Sequence, residues 1–168
     1  MKKGSNIIFI GMSAAGKSTI GVVIAKRLGY EFIDTDLLIQ KREKRLLKEI
    51  LEQDGNDRFL EIENEVNSTL ESEHTVISPG GSVIYAEESM THFKNIGTIV
   101  YLQASFETIN ARIKNPKERG IVLKEGQSLQ ELYDERTVLF ERYADLIVNE
   151  DGLSLEETIE RVLEVLQK

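Results

Sequence analysis

Gly11, Gly16, Lys17 and Ser18 stand at the spacing G-x-x-x-x-G-K-[ST], and those residue types at that spacing make a phosphate cradle. Glycine lets the backbone curl until successive N–H groups point inward at phosphate oxygens. The start of a helix adds a partial positive charge at the same place. The groups of Ser13, Ala14, Ala15, Gly16, Lys17, Ser18 and Thr19 would therefore surround a nucleotide's phosphates. Lys17 would reach the β- and γ-phosphates, and the Ser18 hydroxyl would ligate Mg²⁺.

A second group of chemically capable residues is the pair Asp34 and Asp36, which ends the apolar stretch Phe32-Ile33. Carboxylates beside a triphosphate are unfavourable unless a cation lies between them or a hydroxyl has to be oriented or deprotonated. That assigns Asp34 to the metal shell and Asp36 to an acceptor hydroxyl. The bland alternative is helix capping, which aspartate does well and which suits Asp36 better than Asp34. A third feature is Ser78-Pro79-Gly80-Gly81-Ser82, where adjacent glycines would let a substrate approach the backbone, or simply make a turn.

These groups need a frame that brings them to one edge. Ile7–Ile10, Glu31–Ile33, Thr75–Ile77, Thr98–Leu102 and Leu146–Val148 read as short buried strands. Helical periodicity covers Lys17–Leu28, Leu37–Arg42, Leu46–Gln53, Asp57–Leu70, Glu87–Phe93, Phe106–Lys114, Leu129–Tyr143 and Leu155–Leu166. Alternation of this kind predicts an α/β fold, a parallel sheet with helices on both faces. In such sheets the carboxyl ends of the strands face the ligand crevice, and the loop from Gly11, the Asp34–Asp36 pair and Gly80-Gly81 all follow strands. The polar segment from Asn115 to Gln127 reads as a mobile surface loop.

Composition excludes several classes. The 168 residues, 40% hydrophobic and 30% charged, describe one ordinary globular domain. A net charge of −8 disfavours nonspecific nucleic-acid binding. The chain has no cysteine, so disulfide and thiol chemistry are out. No apolar run has the length of a membrane span, and the run after Met1-Lys2-Lys3 is too short for a signal peptide. The expectation is a cytoplasmic monomer acting on a small molecule, with no nucleic-acid or membrane partner. The basic run Lys41-Arg42-Glu43-Lys44-Arg45 reads as a solvated helix face, and His74 and His92 as surface residues.

The set as a whole resembles the shikimate kinase family. The likeness rests on the loop from Gly11 to Thr19, Phe32-Ile33-Asp34-Thr35-Asp36, Gly80-Gly81, Arg119, the pattern Leu129, Leu132, Arg136, and Tyr143-Ala144-Asp145. The resemblance implies a three-layer α/β/α P-loop kinase fold with a five-stranded parallel sheet in the order 2-3-1-4-5, a substrate-binding segment at about 34–62 and a lid at about 114–127. It implies that ATP, with Mg²⁺, phosphorylates a hydroxyl of shikimate. Asp34 would hold a Mg²⁺-bound water, Asp36 the acceptor hydroxyls, and Gly80 and Gly81 the same pocket. Arg119 looks like the lid arginine over the transferring phosphate, Arg112 like the one stacked on adenine, and Arg136 like the one on the acceptor carboxylate. Three positions depart from the family pattern. Leu60 stands where an arginine that also binds the carboxylate is usual, Ser82 ends the glycine triplet, and Gly120 replaces a proline after Arg119.

Helix phase gives an independent view of the acceptor pocket. Phe59, Ile62, Val66 and Leu70 form one apolar stripe, and Glu63 falls within ~40° of it at ~100° per residue. On the later helix Arg136 lies within the stripe Leu129, Leu132, Phe140 and Tyr143. A buried charge is costly unless paired, so Glu63 and Arg136 are expected to pair at the cleft, or else to snorkel to solvent. Without an arginine at position 60, one charge-assisted contact to a carboxylate, on the order of 1.5–3 kcal/mol, is lost. The reading is phosphoryl transfer by Lys17, Asp36 and Arg119. Its competitors are a related kinase for another hydroxylated metabolite and a nucleotide-binding regulator without acceptor chemistry.

Overall fold

The apolar run after the N-terminus becomes β1 (Asn6–Ile10), and every residue of it is buried. Burial on both faces is what a central parallel strand requires. In the computed structural model, which describes residues 4–116 and 118–168, β1 is flanked by β3 (Thr75–Ser78) and β4 (Gly97–Gln103). The strands β2 (Glu31–Asp34) and β5 (Leu146–Asn149) form the edges. All pairings are parallel, and the order is β2-β3-β1-β4-β5. That is the order the resemblance implied, and the fold is the three-layer α/β/α arrangement.

The helices are α1 (Lys17–Leu28), α2 (Thr35–Glu43), α3 (Leu47–Ser68), α4 (Glu87–Ile96), α5 (Phe106–Arg112), α6 (Leu129–Tyr143) and α7 (Leu155–Leu166). A 3₁₀ turn at Val83–Tyr85, with no counterpart in the sequence reading, joins β3 to α4. Where periodicity gave two helices ending and starting near Gly55, the chain runs as α3 with a break at that residue, whose φ is 82°. Asp145 accepts from the Ile99 amide at 2.9 Å, so this residue of the family-like pattern ties the entry of β5 to β4.

The main core lies between sheet and helices, with Ile8, Phe9, Ile77 and Val100 fully buried. A second cluster sits away from the sheet, where Ile39, Ile50, Phe59, Ile62 and Val122 meet. Val122 belongs to the segment read as a mobile surface loop. That expectation fails for Ile121 and Val122, both buried. Burying each contributes roughly 1.5–3 kcal/mol, enough to offset part of the entropy lost on ordering the loop. Lys117 in that loop and Met1 to Lys3 lie outside the described residues. Among the described residues no helix is long and apolar enough to cross a membrane.

Candidate active site

Because β1 pairs with both β3 and β4, the turns that leave β1 and β3 sit side by side. A Cβ placed on Gly81 would lie 3.3 Å from the Gly11 carbonyl and 3.4 Å from the Ser13 amide nitrogen. Register then sets Asp34 opposite Ser78, at the same edge. The phosphate loop, the glycine pair and Asp36 thus surround one cavity of about 270 Å³, which Lys17, Ser18, Asp36, Gly80, Gly81 and Arg119 line.

Lys17 is buried and folded back, with Nζ donating to the carbonyls of Gly11 and Met12 at 2.8 Å each. Burial lowers its pKa to about 8, and the negative charge of Asp36 works against that shift. Two carbonyls are weaker partners for an ammonium than phosphate oxygens, so the contacts hold Lys17 where a phosphate would take it over. Ala14 within the loop has φ 69°, a left-handed conformation that costs a non-glycine residue roughly 1–2 kcal/mol.

Asp34 is the N-cap of α2: its Oδ1 accepts from the Asp36 amide at 3.0 Å. Capping, the alternative to a chemical role that suited Asp36 better from sequence, is therefore done by Asp34. Its other oxygen accepts from Ser18 Oγ at 2.8 Å. Asp36 is left free of capping and points at the cavity. Burial, and after it the nearby Asp34 charge, raises its pKa to about 6.

Two oxygens, from Ser18 and Asp34, suit a hard cation that takes most of its ligands from water and phosphate. Among the described residues no group of three or more His, Cys, Asp or Glu side chains is placed to hold a metal by itself. The Ser18 and Asp34 oxygens fit Mg²⁺ brought in with a nucleotide.

Beyond Gly80 the cavity continues into a narrow recess shared by Asp36, Phe59, Glu63, Ser82, Arg119 and Arg136. Glu63 and Arg136 are each 1% exposed, so both do face inward. The expected ion pair between them is not formed, and this corrects the sequence reading. Glu63 Oε1 accepts from Ser82 Oγ at 2.7 Å, while Arg136 donates to the Val122 carbonyl at 3.3 Å and lies over the Tyr85 ring. Among the described residues, Glu63 Oε2 and Arg136 Nε have no hydrogen-bond partner. Burial raises the pKa of Glu63 to about 7, against the pull of the Ser82 hydroxyl.

A family model described as shikimate kinase matches residues 13–167 of the chain. The chain belongs to the shikimate kinase family. A shikimate kinase of Clostridium botulinum (strain Okra / Type B1) is 35% identical over 97% of this chain and 96% of its own length. The crystal structure of shikimate kinase from Aquifex aeolicus vf5 is similar with a TM-score of 0.80 and 31% identity, covering 96% of each chain. A shikimate kinase from Acinetobacter baumannii in complex with shikimate has the same fold, with a TM-score of 0.82, 23% identity and coverage of 98% of this chain and 93% of that one.

Arg112 caps a second hollow of about 270 Å³ that shares Ala14, Gly16 and Thr19 with the phosphate cavity. There it pairs with Glu150 and donates to the Ala14 carbonyl at 3.0 Å. Glu150 was not singled out from sequence, although it follows β5 at the ligand edge, the rule that found Asp34 and Asp36. Leu60 does not line the phosphate cavity or the recess. It is half-buried and packs on the second apolar cluster. Gly120 has φ 65°, and a Cβ there would lie 2.7 Å from Leu47 Cβ, so this turn has no room for the proline usual in the family. His92 is half-buried, with Nε2 2.7 Å from the Leu70 carbonyl.

Proposed function

We propose that this chain transfers the γ-phosphoryl group of ATP to a hydroxyl of shikimate. The observation that carries the reading is the convergence of Lys17, Asp36 and Arg119 on one cavity beside the phosphate loop. The amides from Ser13 to Thr19 receive the phosphates of ATP, and Lys17 turns from the Gly11 and Met12 carbonyls to the β- and γ-phosphates. Ser18 and Asp34 would hold Mg²⁺, which would supply neutralisation of charge on the phosphate oxygens. Asp36 accepts the proton of the acceptor hydroxyl and aims its oxygen at phosphorus. Arg119 stabilises charge on the transferring group.

Arg112 covers the base and Arg136 takes the acceptor carboxylate over Gly81. Residues of about 34–62 form the acceptor side and those of about 114–127 the lid, which excludes water and suppresses hydrolysis of ATP. Docking of Ile121 and Val122 supports that lid assignment. The enzyme works as a cytoplasmic monomer on small molecules, without nucleic acid or membrane.

The test is a coupled assay of ADP release with ATP, Mg²⁺ and shikimate. Shikimate-dependent release is expected, and Lys17→Ala abolishes it. ATP binding without any shikimate-stimulated release would refute the acceptor, and full activity of Lys17→Ala would refute the phosphate site.

A further inference from the structure

Glu63 is a buried carboxylate on the apolar side of α3, and no cation stands within salt-bridge distance of it among the described residues. The charged groups that face it are Asp36 on α2, Arg136 on α6 and Lys17 on α1. One oxygen is fixed by Ser82 at 2.7 Å. The other, Oε2, is bare and turned to the substrate cleft. A Cβ on Gly80 would lie 2.9 Å from Glu63 Oε2 and 2.9 Å from Asp36 Oδ1. The two oxygens are therefore no more than twice that distance apart, over the same glycine. A buried acceptor left without a donor costs free energy, and such an atom in a ligand cleft calls for a partner on the ligand.

We propose that Glu63 is a specificity-determining residue of the acceptor site and Ser82 its positioning residue. Ser82 fixes Oε1, and Oε2 binds a second hydroxyl of the acceptor, next to the one that Asp36 orients. The inference rests on the phosphoryl-transfer reading above. Burial favours the neutral acid at Glu63, and a neutral carboxyl both donates to and accepts from a hydroxyl. An anionic group at this point would instead meet Asp36 and repel it. Arg136, over Gly81, remains the contact for the acceptor's carboxylate.

The experiment is steady-state kinetics of the full chain at saturating ATP, from about pH 5.5 to about pH 8.5. Two acceptors are compared: shikimate, and an analogue lacking the hydroxyl adjacent to the phosphorylated one. With shikimate the wild-type KM climbs as Glu63 ionises, and Glu63→Gln removes that climb. Ser82→Ala raises KM roughly 3- to 10-fold, the worth of one supported hydrogen bond, and kcat falls by less. It also moves the climb to higher pH, because the lost hydroxyl favoured the ionised form. Ser82→Thr restores both. The Ser82→Ala penalty vanishes with the analogue, as a coupling between contact and side chain requires.

An equal penalty with both acceptors overturns the proposal, and so does a wild-type KM profile in Ser82→Ala or in Glu63→Gln. Should Ser82→Ala melt below the assay temperature, the Glu63→Gln profile and the Ser82→Thr rescue decide the matter. A wild-type chain that turns over no shikimate sinks the acceptor reading together with this inference. Turnover with unresponsive variants sinks this inference alone.

Discussion

Glu63 and Arg136 line one recess, each 1% exposed, and do not form an ion pair. Each spends its contacts elsewhere: Glu63 on the Ser82 hydroxyl, Arg136 on the Val122 carbonyl and the Tyr85 ring. The recess therefore presents an unpaired acceptor, Glu63 Oε2, and an unpaired donor, Arg136 Nε, an arrangement suited to a ligand with hydroxyl and carboxylate ends.

Stability should report this directly. The pKa of Glu63 is raised from 4.5 to about 7 in the folded chain, so between those values the folded state binds a proton that the unfolded state has released. Its contribution is most favourable below the unfolded value and is lost as pH rises through the folded one, with a total of roughly a few kcal/mol. Glu63→Gln should therefore raise the denaturation midpoint near pH 8 and do little near pH 5. Equal effects at both values would show that Glu63 is ionised in the fold throughout.

The phosphate loop carries strain at Ala14, whose φ is 69°. Glycine adopts that conformation freely, but adds entropy to the unfolded chain. Ala14→Gly is expected to stabilise the protein by about 0.5–1 kcal/mol, or roughly 1–4 °C in melting temperature for a chain of this size. A thermal melt that is unchanged or lower would show that the strain is relieved elsewhere in the loop.

Gly120 packs on Leu47 of α3 so closely that an added Cβ would lie 2.7 Å from Leu47 Cβ. Proline cannot reach a φ of 65°, so Gly120→Pro should undock Ile121 and Val122 from the second cluster. The expected result is faster proteolysis between α5 and α6 and a kcat lowered by about tenfold or more. Unchanged kcat and protease resistance would mean that lid docking has no part in turnover.

Leu60 lies one helical turn before Glu63, on the neighbouring part of α3. An arginine there can lay its stem on the second cluster and carry its charge to the recess. Leu60→Arg should lower KM for shikimate by about one decade, the worth of a restored charge-assisted contact. A KM that rises would mean that the natural acceptor is less anionic than shikimate.

Much of this was legible without coordinates. Gly11, Gly16, Lys17 and Ser18 dictate a phosphate site through backbone stereochemistry and local charge, which need no distant partner. The strands and helices followed from local periodicity, and the parallel sheet from their alternation. Helix phase alone turned Glu63 and Arg136 inward, because period and burial are properties of a single helix.

What the tertiary structure decided were the pairings between elements. That Glu63 takes Ser82 and not Arg136, that Asp34 rather than Asp36 caps α2 while also reaching Ser18, that Arg112 meets Glu150, and that Val122 leaves the loop for the second cluster all depend on distances of a few ångströms between segments far apart in the chain. Hydrogen bonds and ion pairs fall off within such distances, whereas sequence patterns constrain only which face a residue occupies. The sequence therefore determined the chemistry on offer, and packing chose the partners.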